Sequence, residues 1–597
     1  MTQAPDPVRV DAVRERVQRW TATLLVAVLP WLIAPGMIQP DTKSDLVISP
    51  GRYLGRALWA WNDHTGIGEL QNQAYGYLWP MGSLFLAGDA VGMPAWVTQR
   101  VWWMLLLVVS FVGAERVARR LAGLTTVPAL LVGMVFALSP RVLTVLSEIS
   151  VEVWPQALAP WLLLAAARAV APGAGPAHRR RAVVVTGLLA ASLGGVNATV
   201  SLVALVPAAA WLVLAPRGRA KGRALLWWCA GAALGSAWWL GPLVVLGRYA
   251  YPFLDHIELA STTTAVASVT NVLRGANHWI AYILTSGDHP TWQSGWLLAQ
   301  SVTGILATTT IAGLGLAGLV RRRAAGSAEE DGEGRHLTRW GIALVLLGVV
   351  AMAIGRSGAS SGPFAPLVQD LLDGPLAPFR NVHKADLLVR LPVALGVGLV
   401  AHWATRVERG AGPVVRQVVV TTTVLALVGS LAPLWASRVG DAWATDGVPR
   451  AWRDVATEVD DLASADGGTT LVLPGARTAD FTWGRVTDEP LSALDVTVRA
   501  QILELSALAE SPVLSRAAAP LGHPAATRVL DHLDEMTATG RSQPELAAGL
   551  RRMGVSRVVV RGGLDPDVGA VDSEQVAETL AASPGITLVS SVGDGPD

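Results

Sequence analysis

The sequence predicts a polytopic α-helical membrane protein that ends in a smaller α/β domain, and three observations predict it. Of its 597 residues 51% are hydrophobic and only 16% charged, with a mean hydropathy of +0.41, too apolar for a soluble chain of this length. Apolar runs recur at the ~20-residue length that lets a helix satisfy every backbone polar group inside hydrocarbon. The net charge is only +1, and the basic residues form short blocks between apolar runs instead of one patch. That pattern argues against a nucleic-acid partner and orients the chain in a bilayer.

Eleven stretches qualify as spans: 20–38, 96–115, 124–139, 153–170, 182–196, 199–215, 224–246, 297–320, 339–355, 387–405 and 415–435. The first follows Arg14, Arg16 and Arg19, but no small-residue cleavage site follows it, so it reads as a retained span. The pair 182–196 and 199–215 is short and joined only through Gly194, Gly195, Val196 and Asn197, so a re-entrant hairpin is the alternative. The blocks Arg116/Arg119/Arg120, Arg179–Arg181, Arg217/Arg219/Lys221/Arg223, Arg321–Arg323 and Arg406/Arg409/Arg416 all fall on the same side as the N-terminus. The expected arrangement is a plasma-membrane protein with a cytoplasmic N-terminus, a membrane core at 1–435 and an extracytoplasmic domain at 436–597. In that last segment, β-rich runs at Thr469–Leu473, Ser556–Val560 and Ile586–Val589 alternate with amphipathic stretches near 496–509, 543–553 and 573–582.

The chemistry is expected outside. Cys229 is the single cysteine, which excludes an intrachain disulfide and a cysteine metal cluster. No GxxxxGK[ST] loop occurs, and ionisable residues within the spans are sparse, so an ATP-driven or ion-coupled pump is poorly supported. Loop 39–95 carries Asp41 and Asp45 directly after the first span, then Glu69, Gln71, Asn72, Gln73, Tyr75 and Trp79. Carboxylates and amides beside aromatic faces suit a carbohydrate; Asp41 and Asp45 equally suit the cap of a short helix. Loop 356–386 ends in Arg380, His383 and Lys384, a charge and donor set that suits a phosphate or, alternatively, a rim for anionic lipid headgroups. Loop 247–296 adds Asp255, His256, Glu258, Asn277 and His278, and its Asp288-His289 pair supplies too few ligands to define a metal site. Glu148 and Glu152 read first as solvated loop residues, with the same external cavity as the alternative.

The stretches PDTKSDL, GELQNQAYGYLWPMG, VTQRVWWMLLL, ALSPRVL, PLAPFRNVHKADLLVRLPVALG and LPGARTADFTWGR together resemble the actinobacterial α-(1→3)-arabinofuranosyltransferases, GT-C glycosyltransferases of cell-wall arabinan assembly, from about residue 20 to 490. The resemblance implies a GT-C-like membrane core, a decaprenyl-phosphoryl-arabinofuranose donor and an arabinan acceptor in arabinogalactan or lipoarabinomannan. It also implies a catalytic aspartate in the first external loop, which the PDTKSD motif sets at Asp41, with Asp45 beside it. The implied reaction is an inverting transfer with a carboxylate base, with Arg380, His383 and Lys384 facing the lipid phosphate and Glu69, Gln71, Asn72, Gln73, Tyr75 and Trp79 facing sugar. No cofactor is identified, and a divalent metal is left open. Ala385 stands where the family pattern has an aromatic, and VVVRGGLD stands where a polar Asn-Asp pair is expected. Family members also continue into β-rich, carbohydrate-binding-like modules, so a fragment or a short paralogue is expected. The rival readings are another lipid-linked sugar transferase of the same architecture and a non-catalytic lipid or polysaccharide transporter.

Overall fold

The computed structural model describes residues 7–592 except 42, 65–67, 71–73, 172, 174, 216–218, 251–257, 285–289, 325–331, 359–360, 407–411, 441–443, 476–479, 482–483, 486–503, 517–523 and 565–571. Each of the eleven apolar stretches falls on helix. Seven described helices are long and apolar enough to cross a membrane by themselves: Ala95–Leu121, Thr126–Val145, Lys221–Tyr249, Val302–Arg321, Gly334–Ala353, Val382–Arg406 and Gly412–Ser430. The other four differ for visible reasons. Pro7–Val28 starts earlier than expected and spends its first half on charged residues, Pro176–Ala191 and Ala198–Leu214 are only 16 and 17 residues long, and Val153–Val170 carries Pro155, Gln156, Pro160 and Arg168 among its 18 residues.

Burial separates the helices into a centre and a rim. Val153–Val170 and Leu387–Arg406 are buried along most of their length, whereas Gly412–Ser430 and Lys221–Tyr249 leave Val418, Leu425, Leu226 and Leu234 exposed. Apolar residues on an outer face are what a lipid-facing helix requires. The central pair Val302–Ala324 and Leu387–Arg406 meets through glycines: a Cβ on Gly396 would lie 1.8 Å from the Gly315 carbonyl oxygen, so this approach needs small residues on both sides.

Loop 39–95 is more ordered than a solvated loop. It holds helices Ser44–Ile48, Pro50–Ala57 and Met81–Ala90 and a small antiparallel pair, Trp61–Asn62 with Glu69–Leu70. After residue 436 the chain builds a parallel sheet in the order Val513–Leu514, Thr469–Leu473, Val555–Val560, with helices Arg450–Asp466, Pro524–Thr537, Leu546–Arg552 and Ser573–Ala582 around it. The expected strand at 586–589 does not form. Ile586 packs in part against the core of this segment, but Leu588 and Val589 are exposed and the run pairs with no strand. Described parts of the stretch near 496–509 form helix Glu504–Leu508.

That short helix is where the C-terminal segment meets loop 39–95. Its terminal carbonyls lack partners within the helix, and two guanidinium groups supply them. Arg56 donates to Ser506 O (3.0 Å) and Ala509 O (3.1 Å), and Arg52 donates to the Leu508 carbonyl. His64 Nε2 donates to Ser506 O at 3.0 Å, and its own carbonyl accepts from the Val513 amide at 2.8 Å. Burial, with Arg56 next in effect, lowers the His64 pKa to about 4.

Candidate functional site

The run Gln99-Arg100-Val101-Trp102-Trp103 sits near the N-terminal end of helix Ala95–Leu121 and organises the chain that leaves the first helix. Arg100 is fully buried and donates to the carbonyls of Ile33, Ala34 and Met37 at 2.9–3.1 Å, while its Nη1 donates to Gln99 Oε1 at 2.8 Å. Gln99 pairs with both backbone groups of Gln39 at 3.0 Å. These bonds bring Asp41 over Trp103, whose indole Nε1 donates to Asp41 Oδ2 at 3.0 Å; Asp41 Oδ1 accepts the Ser150 amide at 2.7 Å. Asp41 is 2% exposed. A buried carboxylate with two such donors is held in one orientation. Trp102, one residue before Trp103, donates to Ser150 Oγ at 2.9 Å, so neighbouring tryptophans hold the aspartate and the turn it binds.

That turn, Ser150–Glu152, carries the second carboxylate. Glu152 is 4% exposed. It pairs with Arg141 in the tightest contact of the site, lies 3.3 Å from Lys384 Nζ, and accepts from Asn197 Nδ2 at 2.8 Å. Burial opposes its charge, but Lys384 and Arg141, through charge and hydrogen bonds, hold its pKa below the ordinary carboxylate value. Asn197 also caps helix Ala198–Leu214, accepting from the Val200 amide, and it follows Gly194 and Gly195 at φ +79° and +72°. A Cβ at Gly195 would lie 2.5 Å from the Trp239 ring, so both backbone conformation and space favour glycine there. The four residues that read only as a weak turn therefore position a ligand of Glu152.

Beside Glu152, the His278 and His383 rings lie with centroids 3.8 Å apart, and Trp292 packs against His278 at 4.5 Å. Burial pushes the His278 imidazole well below its ordinary pKa, with Arg141 and Lys384 adding to the shift. Several buried polar atoms in this neighbourhood carry no hydrogen bond: Arg141 Nη1, His278 Nδ1, His383 Nδ1, Trp292 Nε1 and Asp386 Oδ2. Unpaired buried polar atoms are costly, and their concentration in one place marks a site built for something else to bind.

The expected site residues thus divide. Asp41 is adjacent to the Glu152 turn, and His383 and Lys384 converge on Glu152. Arg380 does not join them. Its guanidinium binds the Glu258 carbonyl and lies 3.4 Å from Asp373, which fastens loop to loop. Asp45 sits in the first turn of Ser44–Ile48 with its Oδ1 near the Leu46 amide, a helix-start position, and Asp41 receives the amide that opens the Ser150–Glu152 turn. Tyr75 is buried, with its pKa raised to about 12 by burial, and half-exposed Trp79 donates to Ser192 Oγ at 3.1 Å. Glu69 lies on the small strand, and Gln71, Asn72 and Gln73, like Asp255, His256, Asp288 and His289, lie outside the described residues. Glu148 and Glu152 are buried, which corrects the solvated-loop reading. Arg141 was missed as a site residue. It sits inside the ALSPRVL motif, and its signal was a lone arginine at the end of an apolar run.

Comparison with known proteins follows this geometry. A family model for the N-terminal GT-C domain of α-(1→3)-arabinofuranosyltransferase matches residues 25–597. The chain is 38% identical over 583 residues to the α-(1→3)-arabinofuranosyltransferase of Mycolicibacterium smegmatis, covering 95% of this chain and 38% of that protein. The corresponding enzyme of Mycobacterium tuberculosis is 36% identical over 584 residues, covering 94% and 39%. A cryo-EM structure of the mycobacterial arabinofuranosyltransferase AftD superposes with a TM-score of 0.75 at 34% identity, covering 97% of this chain and 38% of that one. The chain thus spans less than two fifths of the length of these relatives. The match runs through the apolar helices, loop 39–95 and the C-terminal segment alike, and the chain belongs to the family defined by the N-terminal GT-C domain of the α-(1→3)-arabinofuranosyltransferases.

Proposed function

We propose that this chain is a membrane glycosyltransferase that moves arabinofuranose from a decaprenyl-phosphate-linked donor to an arabinan acceptor at the outer face of the plasma membrane. The observation that carries the reading is the hydrogen bond from the Ser150 amide to Asp41, which joins an oriented carboxylate to the turn whose Glu152 holds the Arg141 and Lys384 cations. The two halves suit the two ends of one displacement. The acceptor hydroxyl oxygen bonds to the anomeric carbon while the bond from that carbon to the phosphate oxygen breaks, inverting the centre. Asp41 takes the hydroxyl proton, and polyprenyl phosphate leaves with the bonding pair. Arg141 and Lys384 face the charge that develops on the leaving phosphate, with donors that are prepositioned and shielded from water. Glu152 holds the two cations together until an anion competes for them. His383 lines the same space. Arg380 shapes the loop that delivers Lys384 and does not bind phosphate. Eleven crossings, a cytoplasmic N-terminus and an external C-terminal segment complete the proposal, since they put this site on the side where the chain is free of basic blocks.

The test is transfer from a lipid-linked pentose to an arabinan oligosaccharide by purified protein. Asp41→Asn keeps shape and hydrogen-bonding capacity but removes basicity, and the expected loss is ~10²- to 10⁴-fold in turnover, with donor binding retained. Wild-type turnover in that variant overturns the assignment. Donor binding by the wild-type protein with no release of polyprenyl phosphate favours the transporter reading instead.

A further inference from the structure

We infer that Glu152, His278 and His383 form a binding site for one divalent cation of the zinc class. One ligand atom from each residue lies within 4.8 Å of the others, and all three residues are buried. Two imidazoles and a carboxylate are a set that zinc takes in open sites, with a further position left for water or a ligand oxygen. Ligand atoms around a tetrahedral zinc lie ~3.4 Å apart, as bond lengths of ~2.0–2.2 Å require. Closing from 4.8 Å asks for side-chain rotation and no movement of the fold.

A second observation points the same way. The Nδ1 atoms of His278 and His383 are buried and carry no hydrogen bond, while the two rings lie against each other and His278 against Trp292. A histidine buried for packing alone normally satisfies its ring nitrogens. Two nitrogen ligands also discriminate among ions: magnesium and calcium prefer all-oxygen shells, whereas imidazole favours zinc and its transition-metal neighbours.

The charges facing the site decide how the ion would be accommodated. Arg141 and Lys384 share Glu152 at present, the Asp386–Arg390 pair lies on the same segment as His383, and Glu148 precedes the Ser150–Glu152 turn. A dication on Glu152 displaces Arg141 and Lys384 from it and repels them. The displaced pair and the open metal position then favour an anionic oxygen ligand, with phosphate as the matching chemistry. Cation and phosphate are therefore expected to bind with positive coupling, each relieving the cost of the other. The site does not depend on the transfer reaction proposed above, because zinc binding is measured without any substrate and either claim can fail alone.

The experiment uses the full chain in nanodiscs with any purification tag removed, stripped by chelator and titrated with Zn²⁺ and with Co²⁺ as a spectroscopic substitute. One zinc per chain by elemental analysis is expected, together with the visible absorption of low-coordinate Co²⁺. Adding inorganic phosphate is expected to tighten zinc binding. The His278→Gln/His383→Gln double variant is expected to lose at least ~100-fold in affinity, since even partners that only orient a ligand are worth ~10- to 100-fold. Zinc is also expected to protect His278 and His383 of the wild-type protein from diethyl pyrocarbonate, a readout that holds if the variant does not fold. Folded wild-type protein without stoichiometric zinc overturns the site. So does unchanged binding in the double variant, or unchanged modification of both histidines.

Discussion

Two regions of this molecule draw cations against fixed acceptors, and their partners differ. Where the C-terminal segment meets the first loop, Arg52 and Arg56 bind the carbonyls that end helix Glu504–Leu508. Where helices converge around the Ser150–Glu152 turn, Arg141 and Lys384 share one carboxylate, and Arg141 Nη1 has no hydrogen bond at all. In the first region the donors are used on backbone acceptors that would otherwise be orphaned, which is a structural role. In the second, positive charge exceeds its partner and unpaired atoms gather around it, as a site awaiting an anion requires. Arg100 and Arg380 belong with the first kind, since both bind backbone carbonyls. Residue type alone does not separate the two roles; the partner does.

The comparison can be broken first at its carboxylates. Glu152→Gln leaves Arg141 and Lys384 buried against a neutral amide, and breaking a buried pair in this way costs ~3–5 kcal/mol. Glu510→Gln, at the exposed partner of Arg52, is expected to cost ~0–1 kcal/mol. Thermal unfolding of the two variants measures the gap, and equal destabilisation would erase the distinction.

A second effect, of comparable size at its limit, is acid sensitivity at the docking face. The folded-state pKa of His64, about 4, lies below the ordinary 6.5 because burial, then Arg56, penalises the protonated ring. The unfolded chain therefore binds the proton more readily, so the stability is complete above about pH 6.5 and is lost as pH falls toward 4. The full loss amounts to about 3 kcal/mol at ~1.4 kcal/mol per pKa unit. His64→Gln is expected to flatten the melting temperature between pH 6.5 and 4.5. An unaltered slope would place the sensitivity elsewhere.

The smallest expected effect sharpens the catalytic side. Trp103→Phe removes one donor from Asp41 while keeping the aromatic packing, and a hydrogen bond to a charged group is worth ~1.5–3 kcal/mol. Turnover is expected to fall ~10- to 100-fold with little change in donor KM. A change confined to KM would mean that Trp103 serves donor binding instead.

Much of the fold was legible because a bilayer demands long apolar helices, and all eleven apolar stretches became helix. The 586–589 run misled because alternating apolar residues predict a strand only when a sheet is there to receive it. The site was legible in part. Asp41, His383 and Lys384 stood in distinctive motifs, but Arg141, Glu152, Asn197 and His278 come from four separate segments whose meeting no spacing reveals. Arg380 looked equivalent to Lys384 because both are cations on one short run; the backbone turns between them and sends one to Glu258 and the other to Glu152.

The most direct test pairs a cation from each region. Lys384→Met and Arg56→Ala are compared for donor KM and turnover on lipid-linked pentose, with melting temperatures taken alongside. Lys384→Met is expected to impair donor use at least ~10-fold, the loss of a charged hydrogen bond to phosphate, while Arg56→Ala lowers stability and leaves the donor KM unchanged. Equal kinetic losses in the two variants, or an unimpaired Lys384→Met, would contradict the division of cations by partner.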